Sequence, residues 1–352
     1  MTLLHRHRAN NRTMLASLKA MFVSLVFVVP MPAQNHATST TTLTPIDGND
    51  NPTIDLNALK FRPTHHDDCH ARSPLLLLVM IHSAPGNSDK RNVIRKTWGQ
   101  RRPEVAVYFV LGRSDEYASR LDGENQRHGD LIQGSFEDTY RNLTYKHVST
   151  LKWITQHCSS KLYTIGASFY IRYRTIVDVS SLDRLTGAKY ILKTDDDVFV
   201  HTQALLDFLR DPDLIDSYDE PSILCSQPSS LRVLRSWRSK WHTTPREYKD
   251  KYYPPYCLGW SVLYSAGAAR RLYRAAEGES FFWIDDVFVT GILAKKIGLR
   301  PQRMAGLVSS KRDLSRIIDD SRAVKRHILF PPDLSIDTIK TLHCIVTSVD
   351  DD

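Results

Sequence analysis

From Pro74 onward, apolar runs of strand length alternate with amphipathic stretches of helix length, and this alternation constrains the fold more than any other feature. LLLLVMIHS (75–83) predicts a buried strand and KRNVIRKTW (90–98) the helix after it; VAVYFVLG (105–112) and DEYASRLDGENQRH (115–128) repeat the pair. DLIQ (130–133) is a short strand before the long helical stretch DTYRNLTYKHVSTLKWITQHC (138–158), and KYILKT (189–194) precedes HTQALLDFLRD (201–211). Strands that are apolar throughout need cover on both faces, which helices on either side of a parallel sheet provide. The expectation is an α/β, Rossmann-like fold with a mostly parallel central sheet covered by helices. Such sheets bind ligands beyond the carboxyl ends of their strands. Neither GxGxxG nor GxxxxGK[ST] occurs, so a dinucleotide or P-loop site is unsupported.

At one such strand end, KTDDDVFV (193–200) places three carboxylates in a row: Asp195, Asp196 and Asp197. Their mutual repulsion is relieved by a divalent cation, and hard oxygen ligands select magnesium, calcium or manganese. In extended backbone Asp195 and Asp197 point one way and Asp196 the other, leaving one carboxylate for the ion and another for a ligand hydroxyl. A second acidic pair, Asp285 and Asp286, opens the amphipathic stretch FFWIDDVFVTGILAKKIG (281–298). Acids in a first helical turn ordinarily cap the helix and complement its dipole. The alternative is catalytic, because the aromatics just before them offer an apolar setting that raises a carboxylate's basicity.

Ahead of the alternating region, HRHRANNR leads into MLASLKAMFVSLVFVVP, a basic segment followed by an apolar one. It is read as a cytoplasmic tail (1–13) and a signal-anchor transmembrane segment (14–32), with signal cleavage near Pro32-Ala33 as the alternative. The Ser/Thr/Pro-bearing run ATSTTTLTPIDGNDNPT belongs to a flexible lumenal stem (33–73) that cannot build a core. A folded domain (74–345) and an acidic tail (346–352) follow. In an oxidising lumen some of the five cysteines pair, and an odd count leaves at least one free or bonded between chains. No CxxC pair supports a structural zinc site, and Asn142 heads a glycosylation sequon, Asn142-Leu143-Thr144. With 41% hydrophobic and 24% charged residues, a mainly disordered or polytopic chain is excluded, while a formal charge of +8 suits an anionic partner.

Six segments in register resemble the animal β-1,3-galactosyltransferase and β-1,3-N-acetylglucosaminyltransferase family of Golgi type II membrane enzymes. They are RNVIRKTWG (91–99), VYFVLG (107–112), GDLIQGSFEDTYRNLTYKH (129–147), KYILKTDDDVFV (189–200), YPPYCLGWSVLYS (253–265) and IDDVFVTG (284–291). The resemblance implies a type A glycosyltransferase fold, with 74–345 as the catalytic domain. It implies a UDP-galactose or UDP-N-acetylglucosamine donor and a glycan acceptor on a glycoprotein or glycolipid, at the Golgi membrane. It further implies manganese, with magnesium as the substitute, held by Asp197 and by His327 of KRHILFPPD. Lys193, Asp195 and Asp196 then lie near the donor's ribose and sugar. Arg91 and Arg95, four apart on one helical face, approach its diphosphate or ribose; the alternative is that Arg95 and Trp98 fasten that helix to the sheet.

An α-linked donor giving a β-linked product requires inversion, hence one in-line displacement and one base, for which Asp286 is chosen. Asp285, Gly259 and Trp283 fall on the acceptor side, the aromatics 281–283 forming a wall against a sugar ring. Nucleic acid is not expected, since no binding motif supports it. Two departures stand out. Asp285 takes the place of the family's usual glutamate, and an atypical segment, 161–187, separates Cys158 from KYILK as either a surface insertion or a translated intron. These departures leave an inactive lumenal carbohydrate-binding or chaperone-like homologue as the alternative function.

Overall fold

The computed structural model describes residues 52–62, 75–158, 187–215, 220–226 and 230–348, all inside the unit Thr41–Asp352. The tail, the signal-anchor segment and all of the atypical segment but Gly187 lie outside the described residues. Among the described residues no helix is long and apolar enough to cross a membrane.

Seven strands form one sheet in the order β3-β2-β1-β4-β6-β5-β7. Four of them, β1 (Leu77–His82), β2 (Val105–Arg113), β3 (Leu131–Glu137) and β4 (Tyr190–Asp195), make the parallel half that the alternation predicts. The other half is mixed. β5 (Ile223–Cys225) and β4 both pair antiparallel with β6 (Ser261–Ser265), and β7 (Pro301–Arg303) runs parallel to β5. Side chains alternate across β1: Leu78 and Met80 enter one apolar cluster, Leu77, Val79 and Ile81 the other. Helices α1 (Ser88–Lys96) and α2 (Ala118–His128) follow β1 and β2. α3 (Leu143–His157) and α5 (Ala266–Ala275) supply the first cluster; α1, α4 (Thr202–Arg210) and α6 (Ile336–Thr347) supply the second. Both faces of β1 and most of β2 and β4 are thereby removed from water, whereas the edge strand β3 leaves Gln133, Ser135 and Glu137 partly exposed.

One part of the expected stem is folded instead. Thr53 bridges Ser280, Phe61 bridges Gly134, and Ile54, Leu56 and Leu59 are buried. The reason lies in α3, which is buried on all sides from Thr144 to Ile154 and therefore needs a second cover besides the sheet. The short arm IDLNALKF provides it, and Lys152 of α3 secures the arm by donating to the carbonyls of Leu56 (2.6 Å) and Leu59 (2.7 Å). Burial of each Leu or Ile contributes about 1.5–3 kcal/mol. A chain begun at residue 63 is expected to unfold at markedly lower urea concentration than one begun at residue 52; equal midpoints would show that the arm does not support the core.

The sequon is corrected as well. Asn142 is buried in a short 3-10 turn and its amide nitrogen donates to the Glu137 carbonyl at 3.0 Å, so a glycan on that nitrogen does not fit the folded domain. Cys225 and Cys257 form a disulfide, Cys158 is also disulfide-bonded, and Cys344 is free, in keeping with an odd cysteine count.

Candidate active site

Asp195 is the last residue of β4, where its N–H donates to the Trp260 carbonyl. The chain then turns through Asp196 and Asp197, so the strand alternation expected for the triplet ends at Asp195. Asp196 and Asp197 consequently both reach Lys90 of α1, at 3.1 and 3.5 Å. Asp196 is buried and also accepts from the Ser83 hydroxyl and the Asn87 amide, each at 2.8 Å, which ties the end of β4 to the loop after β1. Its carboxylate is thus a strut of the site, whereas Asp197 keeps 22% of its side chain open to solvent.

Arg91 and Arg95 are placed otherwise than expected. Arg91 is fully buried, and its five N–H groups are spent on both oxygens of Glu124, on Ser83 and on the carbonyls of Ala84 and Pro85. Nothing is left to donate to a diphosphate. It acts one layer back: Arg91 donates to Ser83, and Ser83 to Asp196. Arg95 is bonded to Asp130, Glu124 and Asn92 and lies over the Phe109 ring, while Trp98 is buried in the second cluster. Those two fasten α1 to the sheet. The cation of α1 that does face the triplet is Lys90, the residue just before the RNVIRKTWG segment.

Asp285 and Asp286 do not cap their helix, which continues through a π-helical stretch, Val287–Leu293. Asp286 instead accepts the Gly259 N–H at 2.9 Å. A Cβ on Gly259 would stand 2.9 Å from the Asp286 Cγ, so only glycine permits this approach. Gly259 therefore positions the carboxylate. Asp285 accepts from His147 Nδ1 at 3.0 Å, and His147 Nε2 meets the Tyr264 hydroxyl at 3.0 Å. Burial lowers the His147 pKa, so the ring is neutral; its one N–H goes to Asp285 and its lone pair accepts from Tyr264.

The two adjacent carboxyls are pushed apart. Burial, and then the negative charge of Asp285, raise Asp286 to about 8. Burial opposes ionisation of Asp285 too, but the His147 hydrogen bond and the Lys193 charge prevail and hold it well below the usual carboxylate range. Lys193 joins the two acidic motifs: its ammonium donates to Asp195 at 2.9 Å and to the Gly259 carbonyl. Burial works against that charge, yet Asp195, Asp285 and Asp286 outweigh it and keep the ammonium's pKa raised. Asp195, although partly open to solvent, is pushed up to about 6, first by desolvation and then by Asp285 and Asp197 against the pull of Lys193.

Phe281, Phe282 and Trp283 are not an open wall for a sugar. All three are buried: Phe281 stacks on Tyr145, Phe282 packs among Tyr248 and Tyr253, and Arg141 lies 4.5 Å over Trp283. Among the described residues the Trp283 indole N–H has no hydrogen-bond partner. Tyr140 leans on the same ring at 6.0 Å.

The donor chemistry fits a hard divalent cation. Asp195 and Asp197 present partly open carboxylates, and the repulsion that adds to desolvation in raising Asp195 is what such an ion relieves. The segment carrying His327 runs beside the residues after the triplet, with Val200 bridging Leu329. His327 Nδ1 is bonded to the Ala323 carbonyl at 2.7 Å, which fixes the proton there and leaves Nε2 as the lone-pair nitrogen a metal needs. Among the described residues no three His, Cys, Asp or Glu side chains already converge as a cage.

The profile of a family described as Galactosyltransferase matches residues 89–168 and 169–305, a span that takes in both acidic motifs. Human N-acetyllactosaminide β-1,3-N-acetylglucosaminyltransferase 3 is 29% identical over 298 residues, 80% of this chain and 71% of that protein. The lactosylceramide 1,3-N-acetyl-β-D-glucosaminyltransferase of Xenopus tropicalis is 31% identical over 253 residues, 68% of this chain and 58% of that protein. β-1,3-Galactosyltransferase 5 of Gorilla gorilla gorilla is 27% identical over 256 residues, 71% of this chain and 74% of that protein. With the profile matched over more than half its length, and with the acid triplet and the paired aspartates meeting at Lys193, the chain belongs to the Galactosyltransferase family.

Proposed function

We propose that the chain is an inverting hexosyltransferase that moves galactose or N-acetylglucosamine from a UDP-sugar to a glycan acceptor, on glycoprotein or glycolipid, in β-1,3 linkage. The observation that carries this reading is the placement of the paired aspartates: Asp285 is bonded to His147 and Asp286 to the Gly259 N–H, while Lys193 links Gly259 to the acid triplet. Family membership supports the reaction class, and the names of the relatives support the linkage and both donor sugars.

In the proposed reaction Asp286 takes the proton of the acceptor hydroxyl as that oxygen attacks the anomeric carbon, and the bond from that carbon to the diphosphate oxygen breaks in line with it. The bonding pair leaves with UDP. Asp285 keeps Asp286 basic by its fixed negative charge, and Gly259 aims it. Lys193 offsets negative charge between the two motifs. A bound manganese ion, or magnesium in its place, would supply Lewis-acid stabilisation of the departing diphosphate, with Asp197 and His327 as its protein ligands. No observation favours the inactive alternative, since both acidic motifs are intact and mutually positioned.

The reading includes a lumenal address at the Golgi membrane, single-pass and type II. The basic-then-apolar N-terminus and the Cys225–Cys257 disulfide support it. Nucleic acid has no place in it. The test is a donor screen with purified protein and manganese, in which UDP-galactose or UDP-N-acetylglucosamine supports transfer and other nucleotide sugars do not.

A pH profile follows from the raised Asp286. The base must be ionised, so kcat/KM for the acceptor is expected to rise with pH to a limb near 8. For one ionisation at that value, activity at pH 6 is roughly a hundredfold below the plateau. A limb near 4 would mean that an ordinary carboxylate serves as the base.

A further inference from the structure

Between β5 and β6 the chain makes a long excursion that leaves at Cys225 and returns through Cys257, to which Cys225 is disulfide-bonded. Cys225 stands opposite Val262, and Ser261 opposite Thr194, so the excursion starts and ends at the sheet end that carries Asp195. Its part from 230 to 253 is closed on itself. Val233 donates to the Lys251 carbonyl, Tyr253 to Leu231 and Thr243 to Leu234, and the Arg235 guanidinium holds the carbonyls of Thr243, Tyr248 and Asp250.

This scaffold is strongly basic. Residues 231–252 hold seven lysines and arginines against two acids, and one of those acids, Glu247, is paired with Arg141 at 2.8 Å. Three of the cations lie over aromatic rings: Arg238 over Trp237 (5.2 Å), Lys240 over Trp241 (4.2 Å) and Lys251 over Tyr252 (6.0 Å). The rings themselves face solvent, Trp237 with 78% of its surface. Among the described residues, every exposed large hydrophobic side chain lies either in 231–258 or at Tyr140. Tyr140 adjoins the same patch through its chain neighbour Arg141, and its ring leans on Trp283 at 6.0 Å, two residues before Asp285. Arg141 spans the same boundary, paired with Glu247 and stacked on Trp283.

We infer that this face takes acidic saccharides, so that the acceptor is a glycan carrying sulfate or carboxylate groups. The inference rests on the proposed transferase reading and names the substrate class of that site. Ring faces suit the C–H face of a pyranose, and the ammonium and guanidinium groups beside them suit its anionic substituents. A neutral acceptor would leave the clustered positive charge uncompensated. An anionic lipid surface would also answer the charge, but the contacts of Tyr140 and Arg141 with Trp283, two residues before Asp285, favour the acceptor itself.

The test compares one oligosaccharide acceptor in neutral and sulfated forms, with the donor identified in the screen and manganese present. At low salt the sulfated form is expected to show a KM about tenfold lower, and the gap closes as salt is raised. Arg238→Gln with Lys240→Gln removes the advantage and leaves kcat and KM for the neutral acceptor unchanged. Equal KM values for the two acceptors, or a double variant that affects both alike, overturn the inference. Absence of transfer to either acceptor counts against the transferase reading. The surface is then judged by calorimetric titration of the same two oligosaccharides: preference for the sulfated one supports it, and no preference overturns it. Sedimentation with phosphatidylserine vesicles without any preference for the sulfated glycan reassigns the surface to lipid and also overturns it.

Discussion

Asp286→Asn is expected to abolish sugar transfer while leaving the fold intact. Asparagine has the same shape and retains an oxygen to accept the Gly259 N–H, so the close approach at that glycine is kept. It also removes a carboxyl whose ionisation burial and Asp285 disfavour, so melting at neutral pH should be no lower than in the parent. What is lost is the basic oxygen. General-base catalysis contributes roughly 10²–10⁴-fold, and with an acceptor hydroxyl as nucleophile the upper part of that range is expected. The readout is initial rate with saturating donor, accompanied by a melting curve. Parent-like rates would remove Asp286 from the role. His147→Ala makes a useful companion, since it leaves both carboxylates in place but strips Asp285 of its hydrogen bond.

Asp197→Ala is expected to have an effect of similar size by a different route. Among the described residues the Asp197 side chain is paired only with Lys90, at 3.5 Å, while its backbone carbonyl receives the Leu334 N–H. Truncation therefore costs the fold little. It removes the most accessible hard oxygen of the triplet after Asp195, and with it the anchorage of a cation that offsets several kcal/mol of charge on the leaving group. A fall of roughly two orders of magnitude or more in transfer follows. Manganese binding measured by electron paramagnetic resonance in the presence of UDP gives a readout independent of turnover: the parent binds and the variant does not. Unchanged manganese binding in the variant would place the ligand elsewhere.

The parallel half of the sheet and both acidic motifs could be read from the chain because they are local. Strand periodicity, helix periodicity and a carboxylate run at a strand end are visible within a few residues. What escaped reading depends on contacts between distant residues. His147 and Asp285 are 138 positions apart, and nothing near His147 marks it as the partner of an acid. Arg91 looked like a phosphate ligand because arginine usually is exposed; Glu124, on another helix, takes it out of solvent. Three aromatics in succession, Phe281 to Trp283, do not reveal which side will be covered, and here Tyr145, Tyr248 and Arg141 cover them. Among the described residues the exposed rings lie instead in 231–258 and at Tyr140, and the basic character of 231–252 merges into the chain's total charge. The turn after Asp195 likewise broke an alternation that assumed continued extension. The arm 52–62 was masked by the polar run before it, although its four apolar side chains have helix α3 to cover.

In the proposed reaction this chain transfers a hexose with inversion, through Asp286. The most direct measurement is proton NMR of the product formed from an α-linked UDP-galactose or UDP-N-acetylglucosamine, with manganese and a glycan acceptor. A β-anomeric signal linked to the acceptor's 3-position, absent when Asp286→Asn replaces the parent, is the predicted result. An α-anomeric product, or a β-linked product formed equally well by the variant, would contradict it.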